Sequence, residues 1–100
     1  MYIAILDFRT AASDRAAALR QLDREREEVR TMPGNMAFRA FASRENEADV
    51  TVLHEWEDVV AFKAYLGSGA FARSGEVIRP LMTDAPMSRR FRADLEEAIR

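Results

Sequence analysis

The apolar positions of the chain alternate between two periods, and each change of period marks an element. Tyr2–Arg9 reads as a strand with both parities apolar: Tyr2, Ala4, Leu6 and Phe8 on one side, Ile3 and Ile5 on the other. A strand of this kind expects cover on both faces. A helical period follows, with Ser13 as its N-cap and Asp14 in the first turn, and runs to about Thr31. Leu19, Leu22, Val29 and Met32 mark its buried stripe beside Ala18. Arg26 falls on that stripe and is expected to snorkel at its edge. The run Arg24–Glu28 reads as a solvated face with i,i+4 charge pairs. Pro33-Gly34-Asn35 stops the helix and turns the chain. Met36–Ala42 and Asp49–Trp56 then read as antiparallel strands joined by the polar hairpin loop Ser43–Glu47. Asp58 caps a helix to about Leu66. Gly67-Ser68-Gly69 interrupts it, and Ser68 caps a further helix carrying Phe71, Ile78, Leu81 and Met82 and ending near Pro80. Met87–Ala93 reads as a fourth strand and Asp94–Arg100 as a short amphipathic, helical tail.

The order β-α-β-β-α-β predicts an α+β fold of the split βαβ, ferredoxin-like type, with a four-stranded antiparallel sheet and helices on one face. It is one domain over residues 1–100, with a core at about 2–93 and a tail at 94–100. Nothing in the chain is left to cover the second face, where Ile3, Ile5 and the Thr51 and Leu53 parity lie. A second copy packed sheet to sheet is expected to cover it, giving a homodimer and a dimeric α+β barrel.

Composition narrows the chemistry. The chain has no cysteine and one histidine among its 100 residues, so thiolate chemistry, disulfides and a Cys/His metal site are not expected. Its net charge of −2 does not provide the basic footprint a nucleic-acid partner requires. No apolar run approaches a membrane span and no signal-peptide pattern opens the chain, so a cytoplasmic protein without membrane contact is expected. No Gly-rich phosphate loop or Ser-His-Asp order is present. No cofactor is called for by these residues.

The junction from His54 to Phe71 carries the candidate site. If His54 shares a strand face with Trp56, both point at the helices, where Phe62 and Tyr65 lie one turn apart. Closing the two faces makes an apolar pocket with few polar groups, the usual form of a small-molecule site. His54 is the candidate base, since an ordinary imidazole takes a phenolic proton near neutral pH. Trp56 and Phe62 are candidate walls, and Tyr65 offers a hydroxyl to a substrate oxygen. Arg39, Arg73 and Arg79 are each candidates for an acidic substrate group. Arg73, near the start of the last helix, is the one expected at the pocket. Arg89, Arg90 and Arg92 read as charges that guard an edge strand. The role of Asp7 is open.

Pro33-Gly34, His54-Glu-Trp56-Glu-Asp58, Ala61-Phe62, Ser68-Gly-Ala-Phe71 and Pro80-Leu81 together resemble the antibiotic biosynthesis monooxygenase family of dimeric α+β barrels, over about Ile3 to Phe91. The resemblance implies a sheet-to-sheet dimer and a pocket in each subunit, between its own sheet and helices, with Trp56 facing it. It also implies oxidation of phenols or hydroquinones by dioxygen without metal or flavin in some members, and haem or quorum-signal breakdown in others. Val52 stands where the polyphenol oxidisers often carry an asparagine, and Tyr65 where many members carry a histidine. The chain has no helical histidine to serve a haem degrader. Two functions follow. One is a cofactor-independent monooxygenase or related oxidoreductase on a small planar phenolic or quinol-like substrate, with His54 as base and Trp56, Phe62, Tyr65 and Arg73 binding the substrate. The other is a non-catalytic protein that holds a small hydrophobic or aromatic ligand on the same scaffold.

Overall fold

The computed structural model describes residues 1–100. Four strands, β1 (Tyr2–Arg9), β2 (Asn35–Ala42), β3 (Asp49–Trp56) and β4 (Met87–Arg92), form one sheet in the order β2-β3-β1-β4. Every neighbouring pair is antiparallel. Three helices, α1 (Arg15–Val29), α2 (Val59–Leu66) and α3 (Gly69–Ile78), lie across one face. This is the expected ferredoxin-like arrangement, with the polar edge strand β4 at one side.

The core forms where the even parity of β1 and β3 meets the helices. Ala4, Phe8, Val50, Val52, His54 and Trp56 are buried there against Ala18, Leu22 and Val29 of α1, Phe62 and Tyr65 of α2, and Ile78 of α3. Alternation in β3 is complete, each even residue buried and each odd one half-buried. The odd face carries Ile3, Ile5, Leu53 and Phe91 and has no helix over it. Phe41 remains 48% exposed and Met87 61% exposed along its edges. Asp7 lies on this outer face, where its carboxylate accepts from Thr51 Oγ1 at 2.5 Å and from Arg89 at 3.2 Å.

Two of the three predicted caps form. The Asp58 carboxylate accepts from the Ala61 amide at 2.9 Å, and the Ser68 hydroxyl oxygen accepts from the Phe71 amide at 3.2 Å. Ser13 does not cap. The chain leaves extended geometry two residues earlier, at Ala11, and a 3-10 turn over Ala12–Asp14 leads into α1, so Ser13 is already inside helical backbone. The tail is also not a helix. After Ala93 donates its amide to the Met1 carbonyl at 2.8 Å, residues 94–100 carry no regular structure, and Leu95 and Ile99 are exposed. Seven residues without a packing surface do not repay helix nucleation.

Gly34 fixes the approach of α2 to the sheet. Its φ is +81°, its carbonyl accepts the Glu57 amide at 2.8 Å, and a Cβ there would stand 2.6 Å from Ala61 Cβ. The turn therefore requires both a left-handed backbone and a bare Cα. Gly34→Ala is expected to lower the free energy of unfolding by about 3 kcal/mol, from left-handed strain and overpacking together, read as a fall in the urea midpoint.

Candidate functional site

A cavity of about 130 Å³ lies between the sheet and the helices, closer to α1 and α3 than to α2. Its wall is mostly apolar, with Leu22, Phe38, Val52 and Ile78 among the lining residues. The buried inner end carries the polar groups Glu25, His54, Tyr65 and Ser74, whereas the exposed residues Arg79 and Pro86 form the mouth. An apolar cavity of similar size is known to take up benzene, so this one has room for about one aromatic ring.

Antiparallel register brings His54 and Trp56 to the helix-facing side of β3, opposite Ala4 and Tyr2 of β1. Trp56 is fully buried, and its indole Nε1 donates to His54 Nδ1 at 2.8 Å. Indole nitrogen is a donor only, so Nδ1 must carry the lone pair and the neutral imidazole holds its proton on Nε2. Nε2 has no partner within the protein, and His54 lines the cavity, so the proton it carries is offered there. Burial, and then the charge of Arg90, lower the His54 pKa from 6.5 to about 4. Protonation would also set an Nδ1 hydrogen against the indole N–H. His54 is therefore a hydrogen-bond donor to the cavity in its resting tautomer. The expected role of base does not follow from this geometry.

The carboxylate in the cavity belongs to Glu25, which is 3% exposed. Tyr65, on the second turn of α2, donates its hydroxyl proton to Glu25 Oε2 at 2.5 Å. Burial raises the Glu25 pKa, partly offset by the hydrogen bonds from Tyr65 and Ser74. Burial also raises the Tyr65 phenol, reinforced by the Glu25 charge, so Tyr65 stays protonated as a donor. Ser74 accepts from Gln21 Nε2 at 3.2 Å, which ties α3 to α1 beside the carboxylate. A desolvated carboxylate held by hydroxyls, with its pKa displaced toward neutrality, is suited to proton transfer.

Glu25 was expected on a solvated face. It belongs instead to the buried series Ala18, Leu22, Glu25 and Val29, spaced four, three and four residues apart. That spacing is visible in the chain and is the signal by which Glu25 could have been found. Arg26 sits at the stripe's edge, paired with Asp23 at 3.0 Å.

The other expected site residues are distributed as follows. His54 and Tyr65 both line the cavity. Trp56 lies behind them, its ring tilted against Tyr65 with centroids 5.4 Å apart, and touches the cavity only through His54. Phe62 packs on Tyr2 at 5.1 Å and His54 at 5.7 Å, outside the cavity, with the Arg90 guanidinium 4.9 Å above its ring. Arg73 points away to the surface, where it pairs with Glu28. These displacements have one cause. The aromatic side chains between α2 and β3 fill the space between them, and the unfilled volume is left where α1 and α3 stand over Val52 and Phe38. No three His, Asp or Glu side chains converge as a metal site. No helix is long and apolar enough to cross a membrane.

Comparison with known proteins agrees with this architecture. The family model described as antibiotic biosynthesis monooxygenase matches residues 1–76. No curated protein matches the chain. Among solved structures, a candidate antibiotic biosynthesis monooxygenase from Deinococcus radiodurans is 15% identical, with a TM-score of 0.89 over 100% of this chain and 99% of that one. One from Caulobacter crescentus CB15 is 19% identical, with a TM-score of 0.88 over 94% and 90%. Rv0793 from Mycobacterium tuberculosis is 18% identical, with a TM-score of 0.85 over 98% of each chain. At these identities the likeness is one of fold.

The imidazole carries a pH dependence of stability. Between pH 6.5 and about 4 the unfolded chain binds a proton at His54 that the folded chain does not, so stability is lost as pH falls through that window. The full displacement corresponds to about 3 kcal/mol. Glu25 acts with the opposite sign, its raised pKa costing stability as pH rises above the ordinary carboxylate range. Titration of the single imidazole by NMR is expected to show a midpoint near 4, and a midpoint near 6.5 would contradict the buried, indole-bonded tautomer.

Proposed function

Because the chain belongs to the antibiotic biosynthesis monooxygenase family, we propose that it is a cofactor-independent monooxygenase acting on a small planar phenol or quinol-like compound held in this cavity. The observation that carries the proposal is the pairing of a buried carboxylate, Glu25, with a fixed donor, His54 Nε2, in a cavity of single-ring size.

The residues divide the work. Glu25, directly or through the Tyr65 hydroxyl, takes the phenolic proton. His54 Nε2–H donates to the phenolate oxygen and so stabilises the charge that develops there. Trp56 holds the imidazole in the donating tautomer and is a positioning residue. Phe38 and Val52 give the ring an apolar bed. The electron-rich phenolate then reduces dioxygen. One oxygen atom replaces hydrogen on a ring carbon as a carbonyl, the other leaves as water, and the substrate supplies all four electrons. A phenol and one dioxygen thus give a quinone and water without a further reductant.

Val52 favours a second reading. An apolar side chain at that point of the wall adds no donor for an oxyanion beyond His54, which suits a protein that binds an aromatic ligand without turning it over.

We also propose that two copies pack through the outer sheet face. Ile3, Ile5 and Leu53, with Phe41 and Phe91 at the margins, make an apolar surface that one chain does not cover. Light scattering is expected to give twice the chain mass of 11.4 kDa, and Leu53→Glu to give the single-chain mass.

Oxygen uptake by metal-free protein with a panel of phenols and hydroquinones tests the activity. Turnover is expected, with Glu25→Gln lowering kcat by about a hundredfold or more and His54→Phe by a similar factor. Tight binding without oxygen uptake would establish the second reading. Turnover undiminished in Glu25→Gln would remove the carboxylate from the mechanism.

A further inference from the structure

Arg79 is the charged group on the cavity wall for which the proposed chemistry has no use. It opens the 3-10 turn Arg79–Leu81 at the end of α3, lines the cavity at its mouth and is exposed. Arg9, Arg26, Arg30, Arg73 and Arg89 are each paired with a carboxylate. The Arg79 side chain makes no ion pair or hydrogen bond within the protein. Its guanidinium folds back along α3 over Gly75, another lining residue. A Cβ on Gly75 would stand 3.4 Å from Arg79 Cζ and 3.6 Å from Nη2. The guanidinium thus lies in van der Waals reach of the helix backbone at Gly75, beside the rim.

The cavity is therefore polarised from end to end. The inner end holds the Glu25 carboxylate, the Tyr65 hydroxyl bonded to it and the donor His54, all buried. The middle is apolar, and the mouth carries an unpaired cation. A ligand with a single negative charge would be repelled from the inner end by Glu25 and drawn to the mouth by Arg79. There a planar carboxylate matches the fork of a guanidinium. It would also keep part of its hydration, so little of the attraction would be lost to desolvation. From this arrangement, we infer that the site selects single-ring phenols bearing a carboxylate across the ring from the hydroxyl, with the hydroxyl toward His54 and Glu25 and the carboxylate on Arg79. The inference rests on the cavity being the binding site, as proposed above, and adds the substrate's charge and orientation.

Calorimetric titration of the full chain with phenol and with 4-hydroxybenzoate tests it, using wild type, Arg79→Gln and Arg79→Lys, with circular dichroism to confirm that each variant folds. For wild type, 4-hydroxybenzoate is expected to bind about tenfold or more tightly than phenol, as a charge-assisted hydrogen bond allows. In Arg79→Gln the ratio of the two affinities is expected to fall close to one, and in Arg79→Lys to keep part of the preference. Equal binding of both compounds by wild type, or a ratio unchanged in Arg79→Gln, would overturn the role of Arg79 while leaving the cavity as a phenol site. Binding of neither compound would overturn this inference together with the reading of the cavity on which it rests.

Discussion

The hydrogen bond from the Trp56 indole to His54 Nδ1 is the constraint on which the site depends. Both partners are buried on the same face of β3, two residues apart, so the strand's own pleat sets their approach. Because indole can only donate, this contact decides which imidazole nitrogen carries the proton and therefore what the cavity is offered. It also makes the charged imidazole costly, in the same direction as burial does. The surrounding rings then have little freedom. Phe38, Phe62 and Tyr65 each lie within 6 Å of the imidazole by ring centroid, and Trp56 and Tyr65 lean on each other. A change at Trp56 would loosen the tautomer and the packing together.

With His54 fixed as a donor, the proton acceptor that the proposed chemistry requires is Glu25. Burying a carboxylate is unfavourable unless it is well hydrogen-bonded. Here the Tyr65 hydroxyl meets it, with Ser74 beside it and Gln21 bonded to Ser74 in turn. The contacts cross from α1 to α2 and from α1 to α3, so the helices are registered to one another by the groups that serve the cavity. A wholly apolar stripe on α1 would pack as readily. A buried glutamate with a raised pKa at this point gives up stability at neutral pH for a proton acceptor next to an aromatic-sized space.

Much of the fold was legible along the chain because its signals are local. The strand Asp49–Trp56, the caps Asp58 and Ser68, and the turn at Gly34 are each specified by a few neighbouring residues. Where the local pattern and the structure part, the causes are physical. Ser13 has the right side chain for a cap, but the backbone enters helical geometry before it. Asp94–Arg100 has the right pattern for a helix and no surface on which to fold. Glu25 was hidden in a run of charges whose average polarity outweighed the spacing that places it beside Leu22 and Val29.

The order of elements, the parity that turns His54 and Trp56 inward, and the apolar character of both faces of β1 are written in the chain itself, because period and capping are properties of contiguous residues. Long-range packing sets where the empty volume lies, that Trp56 supports His54 from behind the cavity, that Glu25 and Tyr65 meet across α1 and α2, and that Arg79 rather than Arg73 stands at the mouth. Each of these depends on residues far apart in sequence and on which side chains fill the space between helices and sheet, and no local pattern encodes the remainder left unfilled.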